Sequence, residues 1–156
     1  MSGPVLALDL GLRRIGVAVS DPDGEFAFPA AALQRESSKR DLAALRSLVN
    51  ERKITQIVVG LPIHLDGRIG PEARAARAFA EKLSEATGLP VDLLDERWTT
   101  REAERALVRG GTRGSRARDR KSGALDSAAA AILLRTWLAR ERGRAASPGA
   151  AGAPPQ

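Results

Sequence analysis

The chain has no cysteine, no tyrosine and a single histidine, His64, in 156 residues. Without cysteine there is no disulfide framework and no thiolate zinc site. One histidine rules out multi-histidine metal centres and argues against a histidine-based triad. Any metal must be held mainly by carboxylate oxygens, a donor set that suits magnesium or manganese. No apolar run is long enough to span a bilayer. The opening MSGPVLALDL lacks the basic segment of a secretion signal and runs straight into a strand pattern. A soluble chain in the cytoplasm, without a membrane partner, is therefore expected.

What the chain does have is positive charge and enough apolar residues for one core. Hydrophobic residues make up 43% and charged residues 28%, and the net charge is +6 with a pI near 10.9. That excess favours an acidic partner, most commonly nucleic acid. Lysine contributes only Lys39, Lys53, Lys82 and Lys121, so arginine dominates the 25 cations. Guanidinium forks match phosphate oxygens two at a time, although a genome biased in codon usage gives the same enrichment. Aromatic residues are only 3%. Recognition through backbone and shape is expected rather than base stacking on an aromatic platform.

Hydrophobic periodicity gives an α/β order. Val5–Leu10 and Ile15–Ser20 read as two strands around a tight turn at Gly11, and Phe26–Leu33 as a weaker third that Pro29 confines to an edge or an end. Ser38 and Asp41 open a helix in which Leu42, Leu45, Leu48 and Val49 repeat at helical spacing. Residues 54–60 (ITQIVVG) form a central strand, followed by a Pro/Gly-rich loop over 61–70. Pro71 and Gly88 start and stop a second helix. Val91–Leu94 is a fifth strand, Thr99 and Glu102 suggest a capping box for a helix ending near Gly110, and a last helix covers Ala124–Arg142. The expectation is a mixed five-stranded sheet flanked by helices, one domain over residues 1–142, and a disordered tail over 143–156 that lacks bulky apolar residues.

Three acidic points could carry chemistry. Strand alternation puts Val5, Ala7 and Asp9 on one face, and an acid in an apolar strand is costly without a partner or metal. Its structural alternative is a cap on the following turn. Asp95 and Glu96 end the fifth strand facing opposite ways, so only one can share a site with Asp9; either also suits the dipole of a following helix. Asp126 lies among alanines that let its helix pack closely on a sheet, or it is simply an exposed first-turn charge. Together, two strand ends and a helix could hold one or two divalent cations against a phosphodiester.

Basic groups surround these positions in sequence. Residues 109–121 (RGGTRGSRARDRK) carry six cations and one acid, among them Arg113, Arg116, Arg118 and Lys121. Arg13, Arg14 and Arg97 follow the proposed acids closely, and Arg74 and Arg77 share a helix face. All are candidate phosphate contacts, with an ordinary solvated surface as the alternative.

The stretches Asp9-Leu-Gly-Leu-Arg-Arg-Ile-Gly-Val-Ala-Val-Ser-Asp21, Val59-Gly-Leu-Pro-Ile-His-Leu-Asp-Gly67, Asp95-Glu-Arg-Trp-Thr-Thr100 and Leu125-Asp-Ser-Ala-Ala129, in this order, resemble the motifs of YqgF/RuvX-like proteins. The resemblance implies an RNase H-like fold related to RuvC-type Holliday junction resolvases, and a nuclease maturing the 5′ end of pre-16S rRNA. It implies Asp9, Glu96 and Asp126 as metal-binding catalytic acids and Asp95 as a structural neighbour. His64 and Leu65 replace the asparagine and methionine expected in the glycine-loop motif. Those departures bear on substrate contacts rather than hydrolysis.

Three other readings compete. A Holliday junction resolvase would act on branched DNA, as a symmetric dimer where the nuclease reading allows a monomer or homodimer. A non-catalytic RNA-binding factor for ribosome assembly or transcription would use the basic loop alone. Half of an actin- or sugar-kinase-like ATPase would share the Asp9-Leu-Gly11 loop, but this chain is too short for the second lobe.

Overall fold

The computed structural model describes residues 3–99 and 124–146, with side chains in the last helix described from 127 to 145. Its strands are β1 (Val5–Leu10), β2 (Arg14–Ser20), β3 (Ala27–Gln34), β4 (Gln56–Leu61) and β5 (Val91–Asp95). The helices are α1 (Ser38–Arg52), α2 (Pro71–Thr87) and, after the undescribed residues, α3 (Ala124–Ala146).

The strands form one sheet in the order β3-β2-β1-β4-β5. The first three pair antiparallel as a meander, and β4 and β5 add in parallel. This is the mixed sheet of an RNase H-like α/β fold. Pro29 lies on the edge strand β3, the position in a sheet where a residue without an N–H is tolerated.

Alternation along the central strands divides the core in two. Leu6, Leu8, Ile57 and Val59 point to one face and pack with Leu45 and Val49 of α1 and Phe79 and Leu83 of α2. Val5, Ala7, Val58 and Leu94 point to the other and pack with Ala130, Leu133, Leu134 and Trp137 of α3. Burying each large apolar side chain contributes roughly 1.5–3 kcal/mol. The alanines of α3 allow the close approach, since Ala130 and Ala131 are both buried. Near its start, the buried Ser127 accepts a hydrogen bond from the Val17 N–H (3.5 Å), beside the register shift between Ile15 and Val17 on β2. At its other half, Trp137 donates its indole N–H to Asp92 (3.1 Å).

Helix ends show what local sequence settles. Pro71 opens α2, and Gly88 closes it at φ 73°, as Pro71 and Gly88 predict. For α1 the cap is Ser37, which accepts from the Arg40 N–H, rather than Ser38. The expected capping box at Thr99 is corrected: residues 96–99 are already helical. Asp95 accepts from the Arg97 N–H at 2.9 Å, while the Thr99 hydroxyl donates back to the Glu96 carbonyl. The chain turns helical directly from β5, so the cap falls at the strand's last residue. Glu102 and the helix expected up to Gly110 lie outside the described residues. At the other terminus α3 runs to Ala146, four residues beyond the boundary read at Arg142. Arg144 pairs with Glu141 at 3.0 Å across that extension, and arginine and alanine are strong helix formers. The rest of the expected tail, residues 147–156, is outside the described residues. Among the described residues no helix is long and apolar enough to cross a membrane.

Candidate active site

Parallel addition of β4 and β5 to β1 brings the C-terminal ends of all three to one end of the sheet. Asp9 lies near the end of β1, and Glu96 directly follows β5. The strands carrying them are not neighbours, because β4 runs between.

Gly60 resolves that separation. The β1–β4 register pairs Leu8 with Val59, so its next step sets Asp9 beside Gly60; on the other side Gly60 pairs with Leu94. Asp9 continues the Val5, Ala7 series and Gly60 follows Val58 by two, so both belong to the α3 face. A Cβ on Gly60 would lie 3.1 Å from the Cγ and Cδ of Glu96 and closer still to Oε1. Only a residue without a side chain lets the Glu96 carboxyl lie over β4. On its other flank Asp9 pairs with Gly16 of β2, so the acid has a glycine on each side.

Across that gap the two carboxyls are joined by a side-chain hydrogen bond. Burial, the Asp9 charge, this bond and the nearby Asp95 charge, in that order, push the Glu96 carboxyl from 4.5 up to about 8. The cause is general: two close carboxylates cannot both ionise freely, and a partly dry site penalises charge further. Near neutral pH the hydrogen-bonded pair retains one proton between its two carboxyls. Two carboxyls so placed could together hold a divalent cation, whose charge would offset theirs as the proton does.

Asp95 is engaged differently. Its carboxylate binds the Arg97 guanidinium (Nη2 to Oδ2, 2.6 Å) as well as the Arg97 N–H. The Arg97 side chain, then burial in opposition, then the backbone N–H determine the outcome, a pKa below the usual aspartate value. Of the two adjacent acids, Glu96 therefore meets Asp9 and Asp95 serves Arg97.

Asp126 lies in the first turn of α3, next to Ser127, which contacts β2 one residue beyond Gly16. The helix is thus anchored beside the strand position that pairs with Asp9. The Asp126 side chain is outside the described residues, and among those described no group of three acids, histidines or cysteines is arranged to hold a metal.

The candidate basic contacts divide by position. Arg13 is exposed and Arg14 half-buried, in the turn and strand start after Asp9. Arg97 neighbours Glu96 but is committed to Asp95, and its Nη1 would lie 3.8 Å from a Cβ on Gly67 of the glycine loop. Arg74 and Arg77 are exposed on α2, and Arg74 donates to the Ile69 carbonyl (3.2 Å). Arg113, Arg116, Arg118 and Lys121 are outside the described residues. The His64 backbone closes its own loop, accepting from the Gly67 N–H and donating to the Arg68 carbonyl.

Two features escaped the reading of the sequence. Gly60 reads from the sequence as the end of an apolar strand and as part of the glycine-loop motif, with no role of its own; the signal is a glycine at the position where a strand leaves the core beside two acidic strand ends. Trp98 is 55% exposed, two residues from Glu96. The Arg140 guanidinium lies over its ring at 5.3 Å.

Comparison with known proteins follows the same outline. Residues 3–140 match the family described as "RuvX: Holliday junction resolvase". A protein from a Bradyrhizobium species named "Putative pre-16S rRNA nuclease" is 44% identical over 138 residues, covering 88% of this chain and 83% of its own. One of the same name from Myxococcus xanthus is 43% identical over 137 residues, covering 88% of each. Among solved structures, Thermus thermophilus RuvC in complex with a Holliday junction substrate superposes with a TM-score of 0.57 at 14% identity, covering 89% of this chain and 96% of that one. The likeness to RuvC is one of fold.

Proposed function

The chain belongs to the RuvX family of Holliday junction resolvases, and on that premise we propose that it is a divalent-metal-dependent nuclease that hydrolyses phosphodiester bonds in 5′-end processing of pre-16S rRNA in the cytoplasm. The observation that carries this reading is the hydrogen-bonded pair of Asp9 and Glu96 across Gly60. Substrate binding alone requires no such pair, since clustered carboxyls repel an anionic ligand.

The donor set fits magnesium or manganese. It consists of carboxylate oxygens, and the chain has no cysteine to favour a softer ion. Asp9, Glu96 and Asp126 are the residues that would hold the ion. When bound, the ion orients a water and offsets charge on the phosphodiester. The protein's own residues do the rest. Gly60 leaves the gap in which the carboxyls meet, and burial keeps water from screening them. Asp95 neutralises and aims Arg97, while Arg13, Arg14, Arg74 and Arg77 offer guanidinium groups to phosphates on either side of the reacting one. Arg113, Arg116, Arg118 and Lys121, outside the described residues, are proposed as further phosphate contacts.

The substrate is proposed from the names of the relatives, "Putative pre-16S rRNA nuclease". The family description favours a second reading, resolution of branched DNA by a homodimer. One experiment separates them: incubate the chain with a ribosomal precursor RNA and with a four-way DNA junction, in magnesium, in manganese and in chelator. Metal-dependent shortening of the RNA supports the first reading, and paired symmetric cuts in the junction the second. Binding without cleavage of either leaves only the non-catalytic RNA-binding factor.

A further inference from the structure

The turn between β1 and β2 carries Arg13 and joins Asp9 to Gly16, and both of its ends are held by one residue from outside it. The Arg35 guanidinium donates to the Gly11 carbonyl (2.8 Å), and the Arg35 main-chain N–H donates to the Arg13 carbonyl (2.8 Å). Within the turn the Gly11 N–H returns to the Arg14 carbonyl (2.9 Å). A Cβ on Gly11 would lie 2.7 Å from that oxygen, so the loop closes tightly.

Arg35 is itself fixed from two further elements. Its Nε lies 3.6 Å from the carboxylate of Asp41 on α1, which is only 6% exposed. Asp41 is in turn oriented by the Glu36 N–H at 3.0 Å. The guanidinium carbon sits 5.8 Å from the centre of the Phe79 ring on α2, within reach of a cation–π attraction. One planar group with donors in a rigid fork can serve a carbonyl, a carboxylate and a ring face together, which an ammonium cannot.

We propose that Arg35 is a positioning residue for nucleic-acid binding: braced by Asp41 and Phe79, it holds the β1–β2 turn so that Arg13 is presented to a phosphate at the same sheet end as Asp9 and Glu96. This rests on the nucleic-acid part of the function proposed above. Arg13 is exposed and Leu12 is 96% exposed, so the turn projects with little packing of its own. Its geometry depends on the bracket beneath. Asp9 is held in the ladder by β2 and β4 regardless, so losing the bracket affects binding more than the chemical step.

The test is a double-mutant cycle in the full chain. Affinity for a fluorescent four-way DNA junction and for a ribosomal precursor RNA is measured in calcium, alongside kcat and KM in magnesium. Arg35→Lys keeps a charge beside buried Asp41 and so preserves folding, while Arg35→Met removes the charge; thermal melts follow both. Each should weaken binding by about tenfold, the order expected from losing a well-placed charged hydrogen bond, with KM rising and kcat within about threefold of the parent. In either background Arg13→Ala should then cost little more, because the turn no longer presents it. Additive losses from Arg13→Ala and Arg35→Lys, or a loss in kcat alone, overturn this inference while parental cleavage leaves the nuclease reading standing. Absence of binding by the parent chain to either nucleic acid overturns both.

Discussion

Glu96 and Asp9 share a side-chain hydrogen bond across a strand that has no side chain between them. Two acids that in isolation repel are held together, and a proton holds the place that the proposed ion takes when it binds. The strength of that arrangement, and its dependence on pH, follow from the same pair.

In the absence of metal, stability should fall as the solution becomes more alkaline. The Glu96 carboxyl titrates near 8 in the folded chain against 4.5 for an ordinary glutamate. Between those values the folded state binds a proton that the unfolded state has released. The contribution of this group is therefore fully present below about pH 4.5 and is lost as pH rises through about 8, at a rate of at most about 1.4 kcal/mol per pH unit. Thermal melts in chelator at pH 5, 6.5 and 8 should show this decline. Glu96→Gln should flatten it, and saturating magnesium should offset it at pH 8.

Gly60→Ala tests the gap directly. The added Cβ would meet the Glu96 carboxyl, and crowding of this kind costs roughly 1–3 kcal/mol. Because the displaced group is a proposed metal ligand, cleavage should drop by far more than the melting temperature implies. A Gly60→Ala chain with parental activity contradicts the placement of Glu96.

Asp95 and Glu96 are adjacent, yet their substitutions should behave differently. Asp95→Ala removes the acceptor for the Arg97 N–H and the partner of its guanidinium, and should lower stability by about 1 kcal/mol, the usual cost of losing a helix cap. Asp95→Asn retains a capping oxygen and should cost less. Cleavage should survive both within a few-fold, whereas Glu96→Gln should abolish it. Urea titrations and initial rates of the three variants decide the matter.

Arginine-based contacts to a backbone release counterions, so affinity for RNA or DNA should fall linearly on a log–log plot against salt. Arg74→Ala combined with Arg77→Ala should make that slope shallower by roughly one to two. Asp9→Asn should leave binding equal or tighter while eliminating cleavage, since it removes a repulsive charge. Normal cleavage by Asp9→Asn contradicts the assigned role of that residue.

Much of the architecture was written locally. β1 falls on Val5–Leu10 as its apolar run requires, Pro71 and Gly88 bound α2, and the Pro29 strand lies at an edge. The same alternation that places Val5 and Ala7 against α3 places Asp9 on that face. What local pattern does not encode is distance between elements. The meeting of Asp9 and Glu96 depends on a third strand passing between theirs and on Gly60 falling at the crossing. Arg35 reads as an ordinary surface cation, because its carbonyl, carboxylate and ring partners come from three different elements. At Thr99 the expected cap failed because the strand passes into a helix without a loop, which moves the capping role to Asp95.

The most direct test of the central claim is calorimetry of manganese binding at pH 7, repeated in two buffers of different ionisation enthalpy to count protons released. If Asp9 and Glu96 share the ion, binding should expel about one proton, the one the pair now holds between them. Affinity should collapse in Asp9→Asn and in Glu96→Gln. Undiminished binding in both variants, or binding with no proton release, would contradict a cation shared by these two residues.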